Sequence, residues 1–347
     1  MLKKNANSNA RIKDVAQYGG VSVSSVSRYL NAPDTLRLET RKKIQKAVET
    51  LRYSPNPIAR SLRTKSTETI ALIIPSLDNL YYVDLYSELR QAAAASGYTI
   101  NLLTSNWNCE TMRKYLQVLP NRNVDGIIVT FLDDDELIED FRVTQKYIPL
   151  VLVTSTPNRQ EFNSIFIDAQ EGVSRATQHL IDSGCTRIAF VGGRLNGSTL
   201  AKRKGFEIAM RQNSLSVNPE FYFFDKDHFS TGFWAMRQFW NLNKRPDGIV
   251  CTMDDIAMGC VKYLLRNGLK IPQDVKVIGF NGISLINAYE PSISSLEHPI
   301  KAIASEAVNL VRKQIESPRA KRHQVTLYTT LIVNTSTDVE APTRFLI

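Results

Sequence analysis

The sequence predicts a small all-α helix-turn-helix headpiece followed by a larger two-lobed α/β body with parallel sheets. The first reason is charge: residues 1–65 carry 14 Lys or Arg against 4 Asp or Glu, a net charge of +10, whereas the rest of the chain sums to −1. The second reason is a change of pattern near Thr67, from short amphipathic helices to apolar runs that alternate with helices. At 347 residues the chain is long enough for two or three domains.

Apolar spacing predicts three short helices in the basic segment. The first begins near residues 12–16 and ends at a Gly-Gly pair. Ser22 is a good N-cap for a second helix over residues 23–30, and two short helices joined by a glycine-containing turn are typical of a helix-turn-helix. A third helix over residues 38–51 closes the core, although Arg37 at its N-cap position is a poor capping residue.

The second helix presents side chains that suit the major groove of DNA. Val23, Ser24, Ser27 and Arg28 are short residues plus one long cation. Serine can donate to or accept from base edges, valine can touch a thymine methyl group, and arginine prefers guanine or phosphate. A three-helix bundle could instead be a protein-interaction module, but the charge of +10 argues against that alternative.

Residues 53–63 join the two parts of the chain. Pro55 and Pro57 stop the preceding helix, and the following residues could form only about one and a half turns of helix, too few to be stable alone in water. Arg60 could match a phosphate and Leu62 could wedge between base steps in a minor groove, which predicts a helix that forms on DNA. From these residues alone, an ordinary interdomain linker is an equal alternative.

Beyond Thr67, alternating strand and helix patterns predict parallel sheets covered on both faces. Seven or more such units are too many for one small sheet, which indicates two lobes. Helices between the strands end at Gly97 and Gly184. The apolar runs that predict strands lie at residues 70–74, 100–103, 126–129, 150–153, 188–191, 248–251 and 275–280.

Ligands of open parallel sheets bind beyond the carboxyl ends of the strands, so the residues that follow each strand are candidates for a binding site. Tyrosine can stack on a sugar or base, while Asn, Thr, Lys and Asp can bond hydroxyl groups. Each has an alternative: Tyr81 and Tyr82 could pack a core, and Lys202-Arg203 could be a solvated helix face. The candidates are Asn79, Tyr81, Tyr82, Thr130, Thr154, Lys202, Arg203, Met253, Asp254 and Asn281.

No catalytic residue, metal site or cofactor is predicted. The four cysteines form no C-x-x-C pair, and none of the four histidines lies beside a nucleophile motif. Gly192-Gly193-x-x-x-Gly197 does not have the spacing of a dinucleotide loop, and an NAD-type enzyme would leave the basic headpiece unexplained. No apolar run is long enough for a signal sequence or a membrane span, so we expect a cytoplasmic protein with no membrane partner rather than a secreted sugar-binding protein.

Two long motifs resemble one known family. Ile12-Lys13-Asp14-Val15-Ala16, Gly20-Val21-Ser22 and Val26-Ser27-Arg28-Tyr29-Leu30-Asn31 resemble the headpiece of the lactose-repressor (LacI/GalR) family of bacterial transcriptional regulators. Tyr53-x-Pro55-Asn56-x-x-Ala59-Arg60-Ser61-Leu62-Arg63 is similar to the hinge of that family. The resemblance covers essentially the whole chain, with departures at Gly19, where alanine is usual, and at Arg37, where a capping Ser or Thr is usual.

The resemblance implies a domain organisation. A helix-turn-helix DNA-binding headpiece would occupy residues 1–55, a hinge helix 56–66, and an effector-binding and dimerisation domain 67–347. The last would have two lobes of periplasmic-binding-protein type, linked by three crossovers near Phe166, Ser295 and Val325, with a ligand cleft between them. The N-lobe would comprise about 67–166 and 296–325, and the C-lobe about 167–295 and 326–347.

The resemblance also implies a function, a sequence-specific repressor of transcription controlled by a small-molecule effector. A homodimer would bind a pseudo-palindromic, double-stranded operator, and the chain ends without the heptad tail that would favour a tetramer. The effector would be a sugar or a sugar derivative; a nucleobase or nucleoside corepressor is the alternative. The expected DNA-binding residues are Val23, Ser24, Ser25, Ser27, Arg28, Asn31, Tyr53, Asn56, Ala59, Arg60 and Leu62.

The cleft candidates depart from the family pattern for neutral sugars. Sugar-binding members usually place Asp where Thr154 and Asn281 fall. They usually place Arg where Lys202 falls and Asn where Met253 falls, whereas Asp254 matches. A pocket that loses two carboxylates and keeps a lysine favours an anionic sugar derivative over a simple neutral sugar.

If Leu62 is the wedge of a hinge helix that folds on DNA, Leu62→Ala should leave the fold, the dimer and effector affinity intact. It should remove most of the preference for operator over random DNA, because unstacking a base step costs roughly a few kcal/mol that the wedge offsets. The salt-dependent phosphate contribution should persist. Binding constants on both DNAs measure this. Amides of residues 57–63 should exchange fast in free protein and slowly on operator; protection without DNA would contradict the folding-coupled hinge.

Overall fold

The computed structural model describes residues 10–54, 66–121, 124–130, 135–154, 161–226 and 229–342. The chain divides into two compact units, Met1–Thr67 and Glu68–Ile347, called here the headpiece and the body. The hinge residues expected to bind DNA, which are Asn56, Ala59, Arg60 and Leu62, lie outside the described residues, and so does the side chain of Thr154.

The described part of the headpiece, residues 10–54, contains three α-helices around a small core. They are α1 (Ile12–Gly19), α2 (Val23–Asn31) and α3 (Leu38–Thr50), with one 3₁₀ turn at Pro33–Thr35. The spacing of apolar residues in the sequence explains the packing, since one face of each helix points inward. The buried core is Val15, Ala16, Val26, Ile44 and Ala47.

The turn between α1 and α2 depends on two residues. Gly20 adopts the left-handed conformation, with φ of 61°, and its amide closes the end of α1. The Ser22 hydroxyl then accepts a hydrogen bond of 3.1 Å from the amide of Ser25 and caps α2. At the start of α3, the side chain of Arg37 makes no capping hydrogen bond. The helix-turn-helix predicted from the sequence is therefore present.

The first lobe of the body is a six-stranded sheet whose strands all pair in parallel within the described residues. Helices cover its faces, as expected for strands buried on both sides. The strands are β1 (Thr69–Ile74), β2 (Thr99–Thr104), β3 (Gly126–Thr130), β4 (Leu150–Thr154), β5 (Asn163–Ile167) and β11 (Gln324–Leu327), in the order β11-β5-β4-β3-β1-β2. The helices are α4 (Leu80–Ala95), α5 (Cys109–Val118), α6 (Ile138–Thr144) and α11 (Ile300–Glu316).

The second lobe has the same design with one difference, because β10 and β12 pair in antiparallel fashion. Its strands are β6 (Ile188–Gly192), β7 (Tyr222–Phe224), β8 (Gly248–Cys251), β9 (Lys276–Asn281), β10 (Ser294–Glu297) and β12 (Thr330–Ile332), in the order β12-β10-β9-β8-β6-β7. The helices are α7 (Ala169–Asp182), α8 (Gly197–Gln212), α9 (Phe229–Phe239) and α10 (Asp254–Arg266). Within the described residues, no helix is both long and apolar enough to cross a membrane.

The chain passes between the two sheets three times. The passages follow β5, β10 and β11, which end at Ile167, Glu297 and Leu327. These ends lie one or two residues beyond the crossovers expected near Phe166, Ser295 and Val325. Each lobe is thus assembled from segments that are distant in sequence.

The adjacent glycines of the first turn should respond in opposite ways to alanine. At Gly19 a methyl group would meet its nearest neighbour at 3.5 Å, an ordinary contact, so Gly19→Ala should stabilise the headpiece by about 0.5–1 kcal/mol. At Gly20 the positive φ makes alanine strained, and Gly20→Ala should destabilise it by about 1 kcal/mol. Amide exchange at Val15 and Ala16 in the full-length protein measures both changes. Equal effects of the two substitutions would contradict this assignment of the turn.

Candidate functional site

A cleft between the lobes brings together residues from the carboxyl ends of strands in both sheets. It encloses about 710 Å³ of empty space, a figure that includes the part open to solvent. Seven of the ten candidate residues lie in its described lining. They are Asn79, Tyr81, Tyr82, Thr130, Lys202, Met253 and Asn281.

Arg203 does not line the cleft, although Lys202 beside it does. Successive residues of a helix point about 100° apart, so only one of the two can face the ligand. The Arg203 Nε donates to Glu207 Oε1 at 2.7 Å, and the guanidinium lies 4.6 Å from the centre of the Tyr222 ring. The structure therefore places Arg203 outside the described lining of the cleft.

Asp254 is also absent from the lining, because its side chain is fully buried inside the second lobe. The carboxylate accepts hydrogen bonds from the hydroxyl of Ser295 at 2.6 Å and from the amide of Ile283 at 2.8 Å. Burial raises the pKa of this carboxyl to about 6, and those hydrogen bonds oppose the rise. Asp254 thus connects the start of α10 to β10 and to the loop after β9, and the structure places it outside the described lining of the cleft.

Among the residues that the structure describes, nine more line the cleft and were not among the candidates. Asn196, Ser198 and Thr199 follow β6 and open α8, so the strand-end rule could have found them. Trp107 lies in a turn where its own φ and that of Asn106 are positive, and no sequence pattern indicated this turn. The other five are Val153, Ile167, Thr252, Phe280 and His298.

Direct contacts across the cleft join the two lobes. Asn79, which caps α4 in the first lobe, places its amide nitrogen 3.8 Å from the sulfur of Met253 in the second. The Arg194 guanidinium of the second lobe lies 5.7 Å from the centre of the Trp107 ring of the first. These contacts form only when the lobes are close together. A ligand between the lobes would therefore either replace these contacts or add to them.

Among the described residues that line the cleft, Lys202 carries a charged side chain and no residue is an Asp or Glu. It is 5% exposed, donates to the carbonyl oxygen of Thr252 at 3.0 Å, and lies 3.8 Å from the centre of the Phe280 ring. Aromatic walls from Tyr82, Trp107 and Phe280 complete the site. Such a pocket can hold a ring by stacking and hydrogen bonds, and its positive potential disfavours cations.

The headpiece places three of its candidate side chains at the surface of α2. Val23 is 41% exposed, and Ser24 and Arg28 are exposed as well. Asn31 is also exposed, but its amide donates to the carbonyl oxygen of Ser27 at 2.6 Å. Ser24, Val23 and Arg28 therefore form the accessible face of the second helix.

The other described candidates of the headpiece are only half-buried. Ser25 and Ser27 are partly covered by the rest of the headpiece. Tyr53 packs against the headpiece core, and burial raises the pKa of its hydroxyl. Packing gives Tyr53 a structural role that the sequence alone did not indicate.

Asp254 predicts a pH dependence of stability. Its carboxyl has a pKa of about 6 when folded, against about 3.9 in an unfolded chain. The folded state therefore binds more protons between these values, and stability should fall as pH rises through that range, by about 3 kcal/mol in total. The measurement is the free energy of unfolding of the wild type relative to Asp254→Asn from pH ~4 to ~7. His298 takes up a proton on unfolding in both proteins, so its effect cancels in the difference; parallel curves would contradict the prediction.

Comparisons with known proteins agree with this architecture. Residues 11–56 match the family described as bacterial regulatory proteins, lacI family, and residues 177–337 match the periplasmic binding protein-like domain. The HTH-type transcriptional regulator RegA of Clostridium saccharobutylicum is 32% identical over 315 residues, which cover 88% of this chain and 94% of RegA. The transcriptional repressor PurR of Vibrio campbellii is 30% identical over 316 residues, covering 91% and 94% of the two chains.

Solved structures share the fold over nearly the whole chain. The lac repressor dimer bound to operator and the anti-inducer ONPF has a TM-score of 0.84 at 21% identity, covering 95% of this chain and 99% of that one. The complex of the regulator CelR with cellobiose has a TM-score of 0.71 at 22% identity, covering 94% and 99%. The helix-turn-helix, the two-lobed body with its parallel sheets and the relatives together show that this chain belongs to the lacI family of bacterial regulatory proteins and is a DNA-binding transcriptional regulator.

Proposed function

We propose that this protein is a repressor whose binding to a pseudo-palindromic operator is controlled by a small effector held between the lobes of the body. The observation that carries the proposal is the combination of an exposed surface on α2 with a cleft whose polar and aromatic walls come from both lobes. The first can read DNA, and the second can change shape when filled. Catalysis has no part in the proposal, and a protein that binds chromosomal DNA would act in the cytoplasm.

The headpiece would bind DNA through two kinds of contact. Val23, Ser24 and Arg28 of α2 would read base edges in the major groove, with Ser25, Ser27 and Asn31 beside them. The remaining cations of the basic segment would bind phosphates without regard to sequence. We place the DNA-binding headpiece at residues 1–55, the hinge at 56–66 and the effector-binding domain at 67–347. In the hinge, Asn56, Ala59, Arg60 and Leu62 would contact the minor groove.

A homodimer is proposed because a palindromic operator presents two equivalent half-sites. An exposed aromatic surface of the second lobe supports it. Trp234 of α9 is 45% exposed, Phe229 is 37% exposed, and Leu265 of α10 is 44% exposed. Phe233 joins these helices, with ring centres 5.7 Å from Trp234 and 5.2 Å from Tyr263. Large apolar side chains grouped in this way on a surface favour burial against another chain, and a second copy fits the symmetry. Sedimentation of the full-length protein tests this.

A sugar derivative is the proposed effector, because the described cleft lining combines flat aromatic side chains with amide, hydroxyl and lysine groups and contains no carboxylate. The regulator CelR was solved with cellobiose, which supports a carbohydrate in a cleft of this fold. A nucleobase is the second candidate. The aromatic walls and the similarity to repressors named PurR favour it, and a planar base would stack on the same rings.

Substitution of Arg28 tests whether α2 reads base edges in DNA. If its guanidinium reads guanine, Arg28→Ala should weaken operator binding by about 1–3 kcal/mol and hardly change binding to random DNA. Lys42→Ala is the matched control, since Lys42 is an exposed cation of α3 that should weaken binding to both DNAs about equally. An operator selected from random sequence by the wild-type protein serves for the titrations. Equal losses on both DNAs for Arg28→Ala would mean that Arg28 holds a phosphate instead.

A further inference from the structure

His298 lies where the chain leaves the second lobe, one residue after β10 ends. Its ring is 7% exposed and meets aromatic side chains of both lobes edge-on. The ring centres are 5.0 Å from Tyr81 of the first lobe and 5.0 Å from Phe280 of the second. The imidazole therefore belongs to the wall of the cleft and contacts both lobes, which a ligand would draw together.

Within the described part of the chain, one nitrogen of this ring has a hydrogen-bond partner and the other has none. Nδ1 lies 3.1 Å from the hydroxyl of Tyr81, whereas Nε2 is buried and has no hydrogen-bond partner among the described residues. A buried polar atom without a partner costs free energy, so such an atom in the lining of a cleft indicates a group that the ligand satisfies.

The hydrogen-bond count determines which nitrogen carries the proton. Within the described residues, His298 Nδ1 is the hydrogen-bond partner of the buried Tyr81 hydroxyl. If Tyr81 donates to Nδ1, a single group stays unsatisfied, the Nε2–H. If Nδ1–H donates to Tyr81 instead, both the Tyr81 proton and the Nε2 lone pair lack partners. The first arrangement leaves fewer buried groups unpaired and is favoured.

We propose that His298 selects the effector by donating its Nε2–H to an acceptor oxygen of the ligand, namely a carbonyl, carboxylate or phosphate oxygen. The inference rests on the proposed function, since it concerns the same cleft. Lys202 supports the choice of an acceptor, because its Nζ lies 3.8 Å from the centre of the Phe280 ring that His298 also contacts. A negatively charged or strongly polarised oxygen at this corner would be attracted by the ammonium and by the Nε2–H together.

The protonation state of His298 agrees with this role. Burial, with a contribution from the positive charge of Lys202, lowers the pKa of His298 to about 3. The ring is then neutral at cellular pH and carries one proton. A neutral donor can bind an acceptor oxygen without the cost of burying a second cation beside Lys202.

The first experiment requires no ligand. The chain has four histidines, so ¹⁵N-histidine labelling of the full-length protein gives a simple spectrum, and His298→Gln assigns the signal of His298. We expect a neutral ring with the proton on Nε2 at every pH from about 5.5 to 8, whereas an ordinary histidine titrates near 6.5. A proton on Nδ1, or titration within this range, would overturn the proposal.

The second experiment measures ligand preference with pairs that differ in an acceptor oxygen. Glucuronate is compared with glucose, hypoxanthine with purine, and inorganic phosphate serves as a minimal acceptor. In at least one pair, the compound with the acceptor should bind about tenfold or more tightly and shift the Nε2 signal of His298. Tighter binding of the compound without the acceptor would overturn the proposal, and so would the absence of any shift with every probe, phosphate included.

Two variants separate the donor from the shape of the ring. His298→Phe keeps an aromatic ring but removes the N–H, so the preference should disappear. His298→Gln supplies a side-chain amide that can donate, so the preference should be retained. Circular dichroism establishes that both variants fold. A preference that persists in His298→Phe would contradict the role of His298 and leave the repressor proposal intact. Failure of the wild type to bind any operator would contradict the repressor proposal alone.

Discussion

The geometry of the cleft depends on one buried carboxylate. Asp254 accepts hydrogen bonds from Ser295 and from the amide of Ile283, and so joins the first turn of α10 to β10 and to the loop after β9. Its oxygen occupies the space that a side chain at Gly279 would need. Burial of a charge is costly unless hydrogen bonds satisfy it, which explains why three separate segments converge on this group. Residues next to these three segments, among them Met253, Asn281 and His298, form the second-lobe wall of the cleft.

The opposite wall depends on the packing of parallel strands. The carboxyl ends of such strands meet at one edge of a sheet, so polar and aromatic residues that follow β1, β2 and β3 are brought together. Asn79, Trp107 and Thr130 reach the cleft in this way. Because contacts such as Asn79 to Met253 cross between the lobes, the separation of the lobes and the filling of the cleft are physically coupled. This coupling is what a regulator needs if a small ligand is to alter DNA binding.

Local sequence patterns were sufficient to predict the helices of the headpiece and the α/β class of the body. A capping serine, a glycine that can adopt positive φ, and an apolar residue every third or fourth position are local properties, and they were sufficient to locate three helices. Long apolar runs separated by helices are local patterns too, and they predicted parallel sheets in two lobes. Strands β5, β7, β10, β11 and β12 were not predicted, because they are short and several are only half-buried, so they lack a long apolar run. The strand-end rule supplied all ten cleft candidates, and the structure places seven of them in the lining of the cleft.

The tertiary structure decided which way individual side chains point. Lys202 and Arg203 are neighbours in sequence, yet helix rotation sends one into the cleft and the other onto Glu207. Asp254 follows a strand, as a ligand-binding residue would, but hydrogen bonds from distant segments draw it into the core. His298 carries no local pattern, and its position became clear only when the passage between the lobes placed it against Tyr81. Such roles depend on contacts between residues far apart in sequence, which local spacing and propensity do not encode.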